Sequence, residues 1–595
     1  MLEFNTISEL FINAKNTYKS KIAFRYKSNS QWEEISHEQL FYRSAKIAYS
    51  LFEIGLRKED KVLLLSENRI EWILFDSAFS HLGICSVPVF PTTSPAQLEY
   101  MINHSNCQAV IVSNKFQLKK IEEIIDSISK VRHIISIEDC DTSISSFMSM
   151  TELLTKCEKS ETELENFILK NSSNVTSDDL LTIIYTSGTT GNPKGVMLSN
   201  KNIVANMKGA IGTNYFNNFK RSLSYLPLCH AYERTTGYYV IYSTSCTISL
   251  CDNIDMISTY LAEVKPEGMT TVPKLMETIK TKIFNSMLKE SEKKRKVFNW
   301  AVSIGYKYVE LQLKKKYNPL INIKFALADK LVFSKIRAKM GGSLNTLISG
   351  GAAMNYDTAL FFEMLGVKTL QGYGLTEASP CISINLPNNN EPDSVGKPLF
   401  NLEVKINPDG EILCRGDNVM VGYLNDEKAT KEVIDSDKWL HTGDIGIITE
   451  LGNLKITDRK KNIFVTNSGK NVAPQVIENE LLKSKYVEQT FIIGEGREFC
   501  SALIFPNIDQ INYLAKELGV NGELKDILND QKIYKHVKHD IDYNLKTLSK
   551  FEQIRKFIFL EKPFSIEGGE LSHKMSVKRH VVETKYAEQI ESMYQ

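Results

Sequence analysis

Over the first 180 residues, apolar positions recur in two rhythms. Residues 7–16 (ISELFINAKN) place them three and four apart, the spacing of one helix face. Residues 61–66 (KVLLLS), 85–90 (CSVPVF) and 109–113 (AVIVS) are short apolar runs bounded by turn residues, which predicts buried strands. Residues 70–83 (IEWILFDSAFSHLG) predict a helix between the first two. Strand and helix in alternation predict an α/β fold with a mostly parallel sheet covered on both faces. Such a sheet binds ligands at the carboxyl ends of its strands.

Further along, residues 180–184 (LLTII) predict another buried strand, and 395–406 and 410–425 alternate as strands of a β-rich region do. Residues 289–317 form the conspicuous basic stretch. There Val297, Trp300, Ala301, Ile304, Tyr308 and Leu311 step along one helix face, predicting a surface helix packed on the domain. Its lysines (Lys293, Lys294, Lys314, Lys315, Lys316) also make it a candidate for peripheral contact with the inner face of a membrane. Residues 238–250 (YYVIYSTSCTISL) are interrupted by hydroxyls and fall short of the roughly 18 to 20 apolar residues of a spanning helix.

A length of 595 residues exceeds one hydrophobic core, so two or more domains are expected. The 72 basic and 71 acidic residues leave a net charge of +1, which argues against any global attraction to nucleic acid. Ten scattered cysteines lack metal-ligand spacing and suit reduced thiols in a cytoplasmic protein. The first residues show no basic segment leading into an apolar run, so no signal peptide is expected.

Chemistry is concentrated in residues 185–195, YTSGTTGNPKG. Glycines 188, 191 and 195 allow a backbone to approach phosphate closely; Thr186, Ser187, Thr189 and Thr190 offer hydroxyl donors, and Lys194 a mobile charge. Composition alone fits a surface loop equally well, and Lys194 followed by Gly195 departs from the Walker A pattern. The string resembles the phosphate loop of the adenylate-forming enzymes, the superfamily of acyl-CoA synthetases, peptide-synthetase adenylation domains and firefly luciferase.

Other motifs of that family follow in order. Residues 226–234 (LPLCHAYER) resemble a long-chain acyl-CoA synthetase segment, which implies that His230 lies by nucleotide and acyl carboxylate. Residues 347–354 (LISGGAAM) resemble the segment where Gly350, Gly351 and Ala352 lie against adenine. In residues 371–377 (QGYGLTE) the resemblance places Gln371, Gly372, Tyr373 and Gly374 at the nucleotide, Thr376 at the α-phosphate and Glu377 on Mg²⁺, with Thr186 as a further metal ligand. Asp444 of TGD matches the acid that accepts both ribose hydroxyls, and Arg459 matches a ribose contact. Lys461 matches the hinge to a mobile C-terminal domain, and Ser468, Gly469 and Lys470 match a loop used in thioester formation.

One motif departs. Where the family places a lysine near the C-terminus, this chain has Ser576, leaving Lys574 or Lys578 to reach the site by a register shift. The resemblance implies an N-terminal AMP-binding domain over residues 1–458, with a β-rich subdomain near 390–458, and a smaller mobile α+β domain over 459–595. It implies an AMP-forming long-chain fatty acid–CoA ligase using fatty acid, ATP, Mg²⁺ and CoA, and leaves a homodimer open. A fatty acyl-AMP ligase serving a carrier protein, a nucleotide binder without turnover, and a structural scaffold are the alternatives.

Overall fold

The computed structural model describes residues 2–595 except 156, 187–191, 461, 468, 469 and 572–576, and leaves aside the side chains of Asn217 and Asn471. The fold is the predicted α/β one. An eight-stranded sheet runs in the order Gly422–Tyr423, Lys194–Ser199, Leu180–Thr186, Cys85–Val89, Lys61–Leu65, Ala109–Val112, His133–Ser136, Phe147–Ser149. It is parallel from Leu180–Thr186 onward, and the two strands at its other end are antiparallel. A nine-stranded sheet has a parallel centre, from Ile22–Ser28 to Lys368–Gly374, with antiparallel strands at both edges.

The two sheets share a core. Leu181 and Ile184 of the first, Phe24 and Ile348 of the second, and the almost wholly buried helix Ile70–Leu82 belong to one apolar cluster. That helix carries large apolar side chains around its whole circumference, with Asp76, Ser77, Ser80 and His81 buried among them. Gly83 ends it in the left-handed region at φ 68°, a conformation that costs a residue without Cβ little. Helix Asn200–Ile211 starts directly from the preceding strand because Ser199 caps it, accepting from the Asn202 amide.

Four antiparallel strands, Glu403–Ile406, Glu411–Arg415, Leu440–Ile448 and Leu454–Arg459, make a separate small sheet. Two strands of the predicted β-rich stretch lie elsewhere: Lys397–Pro398 joins the nine-stranded sheet and Gly422–Tyr423 the eight-stranded one. Residues from Phe464 onward build two apolar clusters of their own around the mixed sheet Val487–Ile493, Cys500–Pro506, Ile554–Phe559. Their contacts with the rest of the chain include polar ones: Asn285 donates to Asp509 at 2.6 Å, Arg295 to Tyr513 at 3.4 Å, and Asn355 to the Asn479 carbonyl at 3.3 Å.

The basic stretch forms helix Glu292–Leu313, but its buried face is shifted from the predicted stripe. Phe298, Ala301, Val302, Ile304, Gly305 and Val309 are buried, whereas Val297 is exposed and Trp300, Tyr308 and Leu311 are half-buried. Close packing explains the shift: a Cβ on Gly305 would stand 2.7 Å from Met364 Sδ and 3.0 Å from the Phe333 ring. Among the described residues no helix is long and apolar enough to cross a membrane. None of the ten cysteines forms a disulfide, and eight of them are buried.

Candidate active site

The strand Leu180–Thr186 and its antiparallel neighbour Lys194–Ser199 hold the ends of the glycine-rich loop. Thr186 and Lys194 are cross-strand partners at its base. Ser187, Gly188, Thr189, Thr190 and Gly191 lie outside the described residues. Behind the loop, the Tyr185 hydroxyl donates to the Met101 carbonyl at 3.3 Å and lies 2.9 Å from His104 Nδ1.

Lys194 is half-buried, and its ammonium stands 4.9 Å from the centre of the Tyr423 ring, where the negative face of the ring attracts a cation. The Tyr423 hydroxyl donates to Glu377 Oε1 at 3.0 Å. Lysine, tyrosine and glutamate thus form a chain across three distant segments. Tyr423 takes this place because Gly422–Tyr423 adds to the sheet edge beside the strand that Lys194 begins.

The turn carrying Glu377 is anchored from several sides. Met420 N–H donates to the Glu377 carbonyl at 2.9 Å; Asn206 and Asn418 side chains donate to the Ala378 carbonyl at 3.2 and 2.9 Å. Each such buried bond satisfies a carbonyl and fixes the turn relative to helix Asn200–Ile211. Thr376 is buried beside it.

Strand Lys368–Gly374 runs through the QGYG string and ends at this turn. Gly374 is required there, since a Cβ would fall 1.8 Å from the Pro380 carbonyl oxygen. Gln371 has its side chain buried in bonds to the Met354 amide and the Pro392 carbonyl. Tyr373, next along, donates its hydroxyl to Asp444 Oδ2 at 2.8 Å, and Arg459 Nε reaches Asp444 Oδ1 at 3.2 Å. Asp444 and Arg459 are paired residues of neighbouring strands, so TGD lies within a strand rather than in a turn. Burial pushes the Asp444 carboxyl above its ordinary value; Arg459 and Tyr373 oppose this, and the negative charges of Glu377 and Glu411 add to it.

His230 is half-buried, its Nδ1 accepting from the Tyr232 amide at 3.2 Å. Tyr232 donates to the Ile348 carbonyl at 2.7 Å, and its ring lies under Gly350, where a Cβ would come within 3.0 Å. The LPLCHAYER and LISGG segments therefore meet at this ring, with Gly351 and Ala352 exposed beyond it. Glu233 and Arg234, the next residues, turn into the core and away from solvent.

Four predicted residues of the C-terminal region lie outside the described set: Lys461, Ser468, Gly469 and Lys574, together with Ser576. Lys470 is exposed at the end of the small hairpin Phe464–Val465/Asn471–Val472. Lys578 is exposed before helix Arg579–Lys585 and forms no ion pair with the cluster around Glu377 among the described residues.

Tyr423, Asn206, Asn418 and Tyr232 are among the site-building residues that the sequence motifs do not single out. For Tyr423 the available signal was an aromatic residue in the short string GYLN, which alone is indistinguishable from a core strand position.

Residues 11–424 match the model of the AMP-binding enzymes, and residues 461–595 that of the AMP-binding enzyme C-terminal domain. The chain is 30% identical over 573 residues to the long-chain-fatty-acid–CoA ligase FadD15 of Mycobacterium bovis, covering 95% of this chain and 92% of that one. It is 32% identical over 625 residues to the human long-chain-fatty-acid–CoA ligase ACSBG2, covering 99% and 92%. In fold it is similar to the A-PCP didomain of carboxylic acid reductase from Segniliparus rugosus in complex with AMP, with TM-score 0.72 and 20% identity over 99% of this chain and 82% of that one. The Mycobacterium tuberculosis fatty acyl CoA synthetase is similar at TM-score 0.63 and 19% identity, over 98% and 99%. With both domain models matched in order and curated relatives aligned along nearly its whole length, the chain belongs to the AMP-binding enzymes of the adenylate-forming superfamily, the one that contains the acyl-CoA synthetases.

Proposed function

We propose that the protein is an AMP-forming ligase that activates a long-chain fatty acid with ATP and transfers the acyl group to CoA. One observation carries this: the short segment from Tyr373 to Glu377 joins two polar groups of opposite use. On one side stand Lys194, Tyr423 and Glu377 beside the loop base; on the other, Tyr373, Asp444 and Arg459. A nucleoside triphosphate has the same division, a polyanionic tail and a vicinal diol. The names of the relatives support a long-chain acyl substrate and CoA as acceptor.

In the first half-reaction a fatty carboxylate oxygen bonds to the α-phosphorus and the bridging α–β P–O bond breaks, releasing pyrophosphate. In the second, the CoA thiol loses its proton and attacks the acyl carbon, and the C–O bond to AMP breaks. Lys194 and the Thr186 hydroxyl hold the departing pyrophosphate charge, and the resemblance assigns Ser187, Gly188, Thr189, Thr190 and Gly191 to the same task. Thr376 donates to the α-phosphate. Asp444 accepts from the ribose hydroxyls and Tyr373 keeps its carboxylate oriented, while Gly350, Gly351, Ala352, Gln371, Gly372 and Gly374 supply backbone against the adenine. His230 faces the acyl carboxylate.

The donor set fits Mg²⁺. Glu377 is half-buried, forms no ion pair among the described residues, and gives one oxygen to Tyr423, leaving a hard carboxylate oxygen on a turn packed by the strand Lys194–Ser199, whose first residue pairs with Thr186. Glu377 and Thr186 would hold the ion, which when bound supplies positive charge at the phosphates.

The domain division at residues 458 and 459, with a hinge at Lys461, belongs to the same proposal. The separate apolar clusters beyond Phe464 and the polar contacts at Asn285, Arg295 and Asn355 support a unit that turns on the rest. Ser468, Gly469 and Lys470 then enter the site for thioester formation. Ten cysteines without a disulfide among them support a cytoplasmic setting.

Ser576 in place of the expected lysine favours one second reading, nucleotide binding without turnover. Purified protein with ATP, Mg²⁺ and palmitate, with and without CoA, separates them. Pyrophosphate release and CoA-dependent palmitoyl-CoA are expected; ATP binding without pyrophosphate would establish the second reading, and adenylate persisting in excess CoA an acyl-AMP ligase.

A further inference from the structure

Helix Pro319–Ala328 continues through Asp329–Phe333 into Ser334–Lys339 and turns a row of large apolar side chains to solvent. Leu320 is 69% exposed, Ile323 70%, Leu327 50% and Leu331 42%, with Tyr317 at 77% just ahead. Steps of three and four residues put the four aliphatic side chains on one face. The other face is packed: the Phe325 ring stacks on Tyr308 at 3.8 Å, and Ala328 and Phe333 are buried. A continuous exposed apolar row on a protein of otherwise ordinary surface marks a contact site.

Charge defines the partner. At about 100° per residue Lys324 flanks the row on one side and Lys330 on the other; Lys335 follows beyond the wider turn of Asp329–Phe333, and Lys314, Lys315 and Lys316 precede the row. None of these six forms an ion pair among the described residues. The only acid between residues 314 and 335 is Asp329, on the far face and held by Arg337 at 2.6 and 3.0 Å. The preceding helix differs, because its Lys294 and Lys296 are paired with Glu290 and Glu292.

We propose that this row docks the protein on the surface of an anionic lipid bilayer. The helix lies in the plane of the interface, Leu320, Ile323, Leu327 and Leu331 enter the acyl boundary, and the lysines meet lipid phosphates. A second copy is a poorer partner, since a two-fold contact through this face would set lysine flank against lysine flank. The inference does not depend on the chemistry proposed above.

Co-sedimentation of the full-length protein with vesicles tests it. Binding is expected to equimolar phosphatidylglycerol and phosphatidylcholine, to weaken with salt, and to be far lower on phosphatidylcholine alone. The triple variants Leu320→Ser/Ile323→Ser/Leu327→Ser and Lys324→Gln/Lys330→Gln/Lys335→Gln should each lower the partition coefficient by about tenfold or more. Their melting temperatures should match the parent's, because all six side chains are exposed. Lys293→Gln/Lys294→Gln/Lys296→Gln should leave partitioning unchanged. Absence of binding to anionic vesicles, or equal binding by the row variants and the parent, overturns the proposal. So does a parent dimer that the serine variant converts to monomer in sedimentation equilibrium, which would make the row a contact between copies.

Discussion

Glu233 and Arg234 are neighbours in sequence and reach opposite sheets. Glu233 accepts from Ser224 at 2.5 Å and Thr270 at 2.6 Å, both on the nine-stranded sheet. Arg234 donates to Thr182 at 2.8 Å and Ser86 at 3.0 Å on the eight-stranded sheet, and pairs with Asp76 of the helix packed in their common core. Thr182 lies on the strand that ends at Thr186, so this buried pair is tied to the strand that leads into the glycine-rich stretch.

Removing Arg234 would leave the buried Asp76 carboxyl without its cation, held by the Tyr239 hydroxyl. Arg234→Ala should lower unfolding stability by about 3–5 kcal/mol, and Asp76→Ala/Arg234→Ala by clearly less than the sum of the single losses. Urea unfolding of the three variants checks this; additive losses would mean that the contact carries little of the coupling.

Glu233 gives a pH dependence of definite sign. Burial pushes its carboxyl from an ordinary 4.5 up to about 7, with Ser224 and Thr270 opposing. The folded protein thus binds this proton more tightly than the unfolded chain, so its contribution to stability is complete below about 4.5 and is lost as pH rises through about 7. Glu233→Gln is neutral throughout and should gain on the parent by up to about 3 kcal/mol between about pH 5 and pH 8. Unfolding curves across that range measure the gap, and a gap that ignores pH refutes the assignment.

The motifs around the site are legible in sequence because each needs particular residue types close together: glycines and hydroxyls at the loop, an acid at Glu377, an acid and a base at Asp444 and Arg459. Their partners are not, because sheet order supplies them. Tyr423 gains its place only when Gly422–Tyr423 pairs with Met197 and Val196. The Glu233–Arg234 string is visible beside His230, yet a helix start inside the core commits both side chains to buried partners on the two sheets. The phase of helix Glu292–Leu313 is misjudged for a related reason: Gly305 contributes nothing to an apolar stripe, but its lack of a side chain admits Met364 and Phe333.

Tyr423 should matter for chemistry through two separable contacts. Tyr423→Phe keeps the ring under Lys194 but frees Glu377, and a lost hydrogen bond to a charged group of about 1.5 kcal/mol or more predicts roughly a tenfold fall in the rate of palmitate-dependent ATP–pyrophosphate exchange. Tyr423→Ala removes both contacts and should fall further. Equal rates in Tyr423→Phe and the parent would sever the hydroxyl from Glu377's role.

Asp444 is expected to read the ribose. Asp444→Asn should weaken ATP and AMP binding about tenfold to a hundredfold, the loss of hydrogen bonds to a charged acceptor. The same variant should discriminate less between ATP and its 2′- and 3′-deoxy analogues. Calorimetry with all three nucleotides decides: a parent indifferent to the missing hydroxyls would place the ribose elsewhere.

Lys461 and the C-terminal lysines are expected to act in different half-reactions. If the unit beyond residue 459 turns about Lys461, Lys461→Pro fixes one backbone torsion and should spare adenylate formation while slowing acyl transfer to CoA by an order of magnitude or more. Lys574→Ala or Lys578→Ala should do the reverse, lowering pyrophosphate release, since a lysine stem is long enough to bring its charge to a neighbouring register. Each variant is followed for pyrophosphate burst and for palmitoyl-CoA in single turnover. Should both half-reactions fall together in Lys461→Pro, the residue supports the fold rather than a rotation. If neither lysine variant alters the burst, the first half-reaction runs without a C-terminal charge, and Ser576 marks a site that has dispensed with it.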